Sequence, residues 1–131
     1  MDSIPTWQSD FLDAHERHRE DGERLYQARR WANADHLYGL SAECGLKAVM
    51  AKLGMPTDRQ GSPTQRQYKV HVDRLWDEFL TFLEGRKARY VGLLPQTNPF
   101  KNWSVEQRYA HQKHLTQEIA QAHRGQIRYI Y

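Results

Sequence analysis

Residues 28–54 read ARRWANADHLYGLSAECGLKAVMAKLG. Small and apolar residues cover nearly every face of the helix this stretch would form. After the turn at Trp31-Ala32-Asn33 only Asp35, His36, Ser41, Glu43, Lys47 and Lys52 interrupt them. A helix apolar all round is one surrounded by protein, so the spacing predicts the central helix of an all-helical domain. Gly39, Ala42, Cys44, Gly45 and Ala48 are too small to fill space, which predicts that neighbouring helices approach this backbone closely. Gly54, with Pro56 beyond it, supplies the stop chemistry of a helix end.

The flanking sequence fits around that helix. From Thr6 to Gln27 apolar residues at Trp7, Phe11, Leu12, Ala14, Leu25 and Tyr26 give one buriable face, and Trp31-Ala32-Asn33 reads as the turn into the central helix. Residues 56–64 form a loop rich in Pro, Gly, Ser, Thr and Asp. Val72, Leu75, Trp76, Phe79, Phe82 and Leu83 have amphipathic helical spacing that closes at Gly85. A short helical piece is expected within Arg86 to Pro95, then a loop over Gln96 to Trp103. Ser104 and Gln107 have capping-box spacing, predicting a last long helix from near Val105 with Leu115, Ile119, Ala122, Ile127 and Ile130 on its stripe and Gly125 as its weakest point. No strand is expected. The fold class is all-α, a compact antiparallel bundle of about four main helices in one domain over residues 1–131.

A chain of 131 residues buries roughly two-thirds of its unfolded surface and needs no staple. Its single cysteine, Cys44, excludes an intrachain disulfide framework and suits a reducing compartment. The first residues, MDSIPTWQSD, lack the basic start and apolar run of a signal peptide. With a mean hydropathy of −0.90 and no apolar run of about 20 residues, the expectation is a soluble cytoplasmic protein. Charge is uneven: the chain is +3, but Gly85 to Tyr131 holds eight Lys or Arg against Glu106 and Glu118, a local +6. Such asymmetry suggests an anionic partner on one side of the fold, unless opposite charges mix in space.

Glu43, then Leu46-Lys47-Ala48, then Leu53-Gly54 make the central stretch resemble the second helix of the HEPN superfamily. His71-Val72-Asp73-Arg74-Leu75 is similar to that superfamily's His-x-x-x-Leu opening of the third helix. Arg108-Tyr109-Ala110 is similar to the Arg-Tyr pair near the start of its last long helix. The resemblance implies an α-helical domain, often a homodimer, acting in RNA cleavage or nucleotide-linked defence and toxin systems, or serving as a non-catalytic binding module. Fold alone does not choose among these.

Catalytic members of the superfamily carry an Arg followed four to six residues later by a His, which implies Arg108 and His114 as the catalytic pair here. A His can take the 2′-hydroxyl proton of RNA while an Arg fork holds the charged phosphate, with no metal needed. The spacing also fits Arg29 or Arg30 with His36, and Arg66 with His71, so it is unspecific. Catalytic members place a small polar residue after the Arg; Tyr109 stands there, as in inactive relatives, and solvated helix-surface residues explain the pair equally.

Other chemistry is thinner. No phosphate-cradling glycine motif occurs. His15 with His18, and His111 with His114, would share helix faces, but there is no His-Glu-x-x-His motif or cysteine pairing, and no metal site or cofactor is expected. Cys44, on the buried helix, reads as an inert thiol. Arg86, Lys87, Arg89, Lys101 and Lys113 are interleaved with aromatic residues, the combination that follows single-stranded RNA phosphates and stacks bases. The loop NPFKNW at residues 98–103 would expose Asn98, Phe100 and Trp103 unless a protein partner covers them. Two readings stand: a HEPN-like RNA- or nucleotide-binding domain with metal-independent endoribonuclease activity, and a catalytically silent, dimeric protein-interaction module.

Overall fold

The computed structural model describes residues 7–86 and 89–130, and the fold is all-α. Among the described residues four α-helices run in order: α1 (Phe11–Gln27), α2 (Trp31–Lys52), α3 (Val72–Gly85) and α4 (Gln117–Gln126). Short 3₁₀ helices punctuate the connections, and the extended backbone among the described residues amounts to one isolated bridge between Thr57 and Pro63. None of these helices is long and apolar enough to cross a membrane.

α2 is the central element, packed against α1, α3 and α4. Its buried positions, from Ala34 and Tyr38 through Ala42 and Leu46 to Met50, run the length of the helix. The small residues do what the sequence predicts, although a neighbouring helix is only part of what comes close. A Cβ on Gly39 would fall inside the indole of Trp103, and one on Gly45 would collide with Ile130 and His15. The α2 end is a Schellman turn. Gly54 is left-handed at φ 101°, and the Met55 amide reaches back to the Met50 carbonyl at 2.9 Å.

α1 begins later than predicted, at Phe11, because the Asp10 carboxylate accepts from the Asp13 amide at 3.0 Å and fixes the start. Trp7 precedes the helix and is 80% exposed, so it does not belong to the buried face. The turn into α2 is also displaced, to residues 28–30. The Arg30 amide bonds the Leu25 carbonyl and the Arg29 amide bonds the Tyr26 carbonyl. This is again a Schellman turn, with Arg29 rather than glycine at φ 61°. α3 matches its predicted limits and buries Val72, Leu75, Trp76, Phe79, Leu80, Phe82 and Leu83. Each such large apolar side chain contributes roughly 1.5–3 kcal/mol by leaving water.

The two C-terminal expectations are corrected. Asn98, Phe100 and Trp103 are buried, not an exposed surface for a protein partner. Asn98 donates from Nδ2 to the Asp73 carbonyl at 2.7 Å and accepts the Phe100 amide at 2.8 Å, which folds the loop inward. Phe100 then stacks on His123, and Trp103 donates from Nε1 to the Asp35 carbonyl at 3.1 Å. The loop is a core plug.

The capping box at Ser104 and Gln107 is present, but it opens only a 3₁₀ helix, Val105–Tyr109. Ala110 and His111 are extended, a second 3₁₀ turn spans Gln112–His114, and α4 starts afresh after Thr116, whose hydroxyl accepts from the Ile119 amide. Between Val105 and His114 no apolar stripe holds a helix against the core, so local caps at Ser104, His111 and Thr116 restart the chain instead. Arg108 and His114 therefore do not share a helix.

Candidate functional site

The polar residues that interrupt the apolar surface of α2 are its anchoring points. Asp35 is fully buried; its carboxylate bonds His123 Nδ1 on α4 and accepts from Gln107 Nε2 at 2.7 Å. His123 Nε2 lies 2.7 Å from Asn102 Oδ1, so one imidazole joins α2, α4 and the inward loop. Ser41 donates to the His15 carbonyl at 2.8 Å, and His15 Nδ1 lies 2.7 Å from the Ser41 carbonyl, which locks α1 to α2. Glu43 holds Lys47 Nζ at 3.2 Å through one oxygen and faces His71 Nδ1 at 2.9 Å through the other. Glu43 and Lys47, one turn apart on α2, thus meet His71 from the start of α3 in one cluster. Burial makes each of these bonds matter, since a buried polar group without a partner costs about 1–3 kcal/mol.

The start of α2 is different. Arg30 provides no side-chain cap there, and the first turn contains no acidic residue. The first helical hydrogen bond is Ala34 to the Arg30 carbonyl, which leaves the amides before it without helical acceptors. That end opens on a cleft of about 100 Å³ lined by Arg30, Ala32, Asn33, Gln107, Arg108, Ala110 and Gln112. Two guanidinium groups and the positive end of a 22-residue helix therefore line a wall with no carboxylate. The Arg108 guanidinium lies 4.8 Å from the centre of the Tyr109 ring, and Tyr109 is 73% exposed.

His36 sits one turn along α2 from this cleft. Its ring stacks on Trp103 at 5.6 Å between centroids, and Nδ1 is buried without a hydrogen-bond partner. Burial, and secondarily the charge of Arg108, lower its pKa below the ordinary 6.5. Both effects favour the neutral imidazole. His18 is likewise lowered, by burial and then by Arg17.

Of the residues singled out from sequence, Arg108 lines the cleft, whereas His114 is exposed on the next 3₁₀ turn and is not part of the lining. Arg86 is engaged elsewhere: its Nε donates to the Leu53 carbonyl at 3.0 Å, closing the C-terminal end of α2, and its guanidinium covers the Phe82 ring at 3.5 Å. Arg89 opens the 3₁₀ helix Arg89–Leu93. Lys87 lies outside the described residues. Lys101 and Lys113 are exposed on separate segments. Among the described residues no group of three or more His, Cys, Asp or Glu is arranged to hold a metal ion. The Cys44 thiol is partly buried, and burial pushes it up to about 11, far from a reactive thiolate.

Sequence reasoning missed Asp35, Gln107 and His123 as a unit, and Glu23 with Arg124. The usable signal was a charge at Asp35 on an otherwise apolar helix, which requires a buried partner. No protein-family model, curated protein or solved structure matches the chain.

Proposed function

We propose that the chain binds single-stranded RNA, holding a backbone phosphate between Arg30 and Arg108 at the start of α2. The observation that carries this reading is a concave wall with two guanidinium groups, a helix N-terminus and no carboxylate. Guanidinium forks match phosphate geometry, and unsatisfied helix amides add donors of the same sense. Exposed Tyr109, beside Arg108, offers a ring on which a base can stack. The resemblance to the HEPN superfamily points to the same ligand class.

The chemistry to which this cleft is suited is metal-independent cleavage. A neutral imidazole takes the 2′-hydroxyl proton, the 2′-oxygen bonds to phosphorus, and the bond to the 5′-oxygen breaks as that oxygen takes a proton from solvent water, the resulting hydroxide being neutralised by the proton that the imidazole then releases. His36, one turn along α2 from the cleft and held toward its neutral form by burial and by the Arg108 charge, supports the base role; His114 is the residue that the superfamily spacing implies. Arg108 stabilises the charge on the phosphoryl oxygens.

Fluorescence anisotropy with a labelled single-stranded RNA tests the binding step. The wild type should bind with an affinity that falls steeply as salt rises, and Arg30→Glu with Arg108→Glu should weaken it at least about tenfold, each phosphate contact being worth about 1.4 kcal/mol or more. Absence of binding at low salt would remove the proposal. Binding without cleavage in the presence of a chelator would leave a catalytically silent RNA-binding domain.

A further inference from the structure

A second cleft, of about 360 Å³, lies between α1 and the C-terminal segment, walled by His15, Arg19, Glu23, Arg124, Ile127 and Arg128. Its volume falls within the roughly 300–1,000 Å³ of small-molecule sites. The charges within it are not equivalent. Arg124 donates from Nε and Nη2 to the two oxygens of Glu23, both at 2.8 Å, and its guanidinium lies over the Tyr26 ring at 4.4 Å. The Tyr38 hydroxyl donates to the same carboxylate at 2.8 Å. Glu23 is therefore saturated, its negative charge cancelled by Arg124, and both side chains are held in place.

Arg19 and Arg128 remain. They come from opposite walls, one from α1 and one from the 3₁₀ helix Ile127–Tyr129, and neither makes an ion pair among the described residues. Arg128 meets the neutral Tyr129, at 3.2 Å from its hydroxyl and 5.0 Å from its ring centre. With Arg19, Arg124 and Arg128 against Glu23 alone, the cleft carries an excess of two positive charges around a space that Ile127 bounds with an apolar surface.

From this arrangement we infer that the cleft is a binding site for a phosphate monoester. A monoester carries close to two negative charges at neutral pH and exposes three acceptor oxygens, which match two guanidinium forks. A backbone diester carries one charge and two bulky substituents, and it suits an open track better than a two-walled cleft. The organic part of the ligand lies against Ile127. The site is separate from the Arg30 and Arg108 cleft and does not depend on what binds there.

Calorimetric titration of the whole chain with methyl phosphate and with dimethyl phosphate tests the charge requirement. Adenosine monophosphate and a 5′-phosphorylated oligonucleotide then distinguish a free small molecule from a nucleic-acid end as the source. Methyl phosphate and at least one of the two larger monoesters should bind at least tenfold more tightly than dimethyl phosphate. R19Q/R128Q, changing two exposed side chains, should lose that binding tenfold or more, while R30Q/R108Q should retain it. Equal affinity for the monoester and diester, no saturable binding of any monoester, or unchanged binding by R19Q/R128Q would each overturn the inference.

Discussion

The indole of Trp103 occupies the space that a side chain on Gly39 would need. Trp103 is 1% exposed and is also tied by its Nε1 to the Asp35 carbonyl, so it cannot yield by swinging into solvent. Gly39→Ala should therefore destabilise the fold by about 1–3 kcal/mol through overpacking, despite the higher helix propensity of alanine. Gly125 in α4 has nothing within 4 Å of its added Cβ, and Gly125→Ala should stabilise by up to about 1 kcal/mol. Urea denaturation of the two variants checks both signs together.

Arg29 holds a left-handed backbone, φ 61°, at the end of α1. For a residue with a Cβ that conformation costs about 1–2 kcal/mol, and glycine adopts it freely. Arg29→Gly should raise the midpoint of thermal unfolding, with a gain of about 1 kcal/mol or less once the added freedom of the unfolded chain is counted. A lowered midpoint would mean that the Arg29 side chain contributes more than its backbone costs.

The pair between Glu23 and Arg124 makes stability depend on pH. Hydrogen bonding from Arg124, helped by Tyr38, holds the Glu23 carboxyl below the ordinary glutamate value. The unfolded chain therefore binds a proton more readily, so the contribution is complete above the unfolded pKa and disappears as pH falls through the folded one. Because the pair is more than one-third exposed, solvent screening limits it to about 1 kcal/mol or less. The stability difference between the wild type and Glu23→Gln should shrink as pH falls from about 6 to about 3.

His36 gives a site-specific titration. Its pKa is lowered first by burial and then by the Arg108 charge, so folding favours the neutral ring. Stability from this group is complete above the ordinary 6.5 and is lost as pH falls through the lower, folded value. In an NMR titration the His36 midpoint should lie below that of a free imidazole. In Arg108→Gln it should move upward but stay lowered, because burial remains. An unchanged midpoint would separate Arg108 from the His36 ring.

Helices α2 and α3 were legible because their signals are local: apolar spacing, Gly54 with Pro56, and the stripe from Val72 to Leu83. The α1 to α2 turn was hidden because Arg29 occupies a position where glycine would have marked it. The C-terminal third misled for a different reason. The box at Ser104 and Gln107 is real, but a cap satisfies only the first amides and cannot say how far a helix runs. The NPFKNW loop reads as exposed until Asn98 is seen bonding the start of α3. At the site, Glu43 and Lys47 are four apart and readable as a pair, whereas Glu23 and Arg124 are 101 residues apart and nothing local joins them. Arg30 and Arg108 come together only because the 3₁₀ helix from Val105 packs beside the start of α2.

Asp35 has partners at Trp103, Gln107 and His123, separated from it by 68, 72 and 88 positions along the chain. Contacts at such separations close very large loops, and chain entropy must be surrendered before any of them repays it. The α1 and α2 hairpin needs no such closure and can assemble from immediate neighbours. The order of events on the folding path follows: the hairpin comes first, and capture of the distal segment by one aspartate comes late. Opening follows the reverse course. Amides in α4 should exchange with solvent deuterium sooner than those in the middle of α2, and all three partners of Asp35 should be released together.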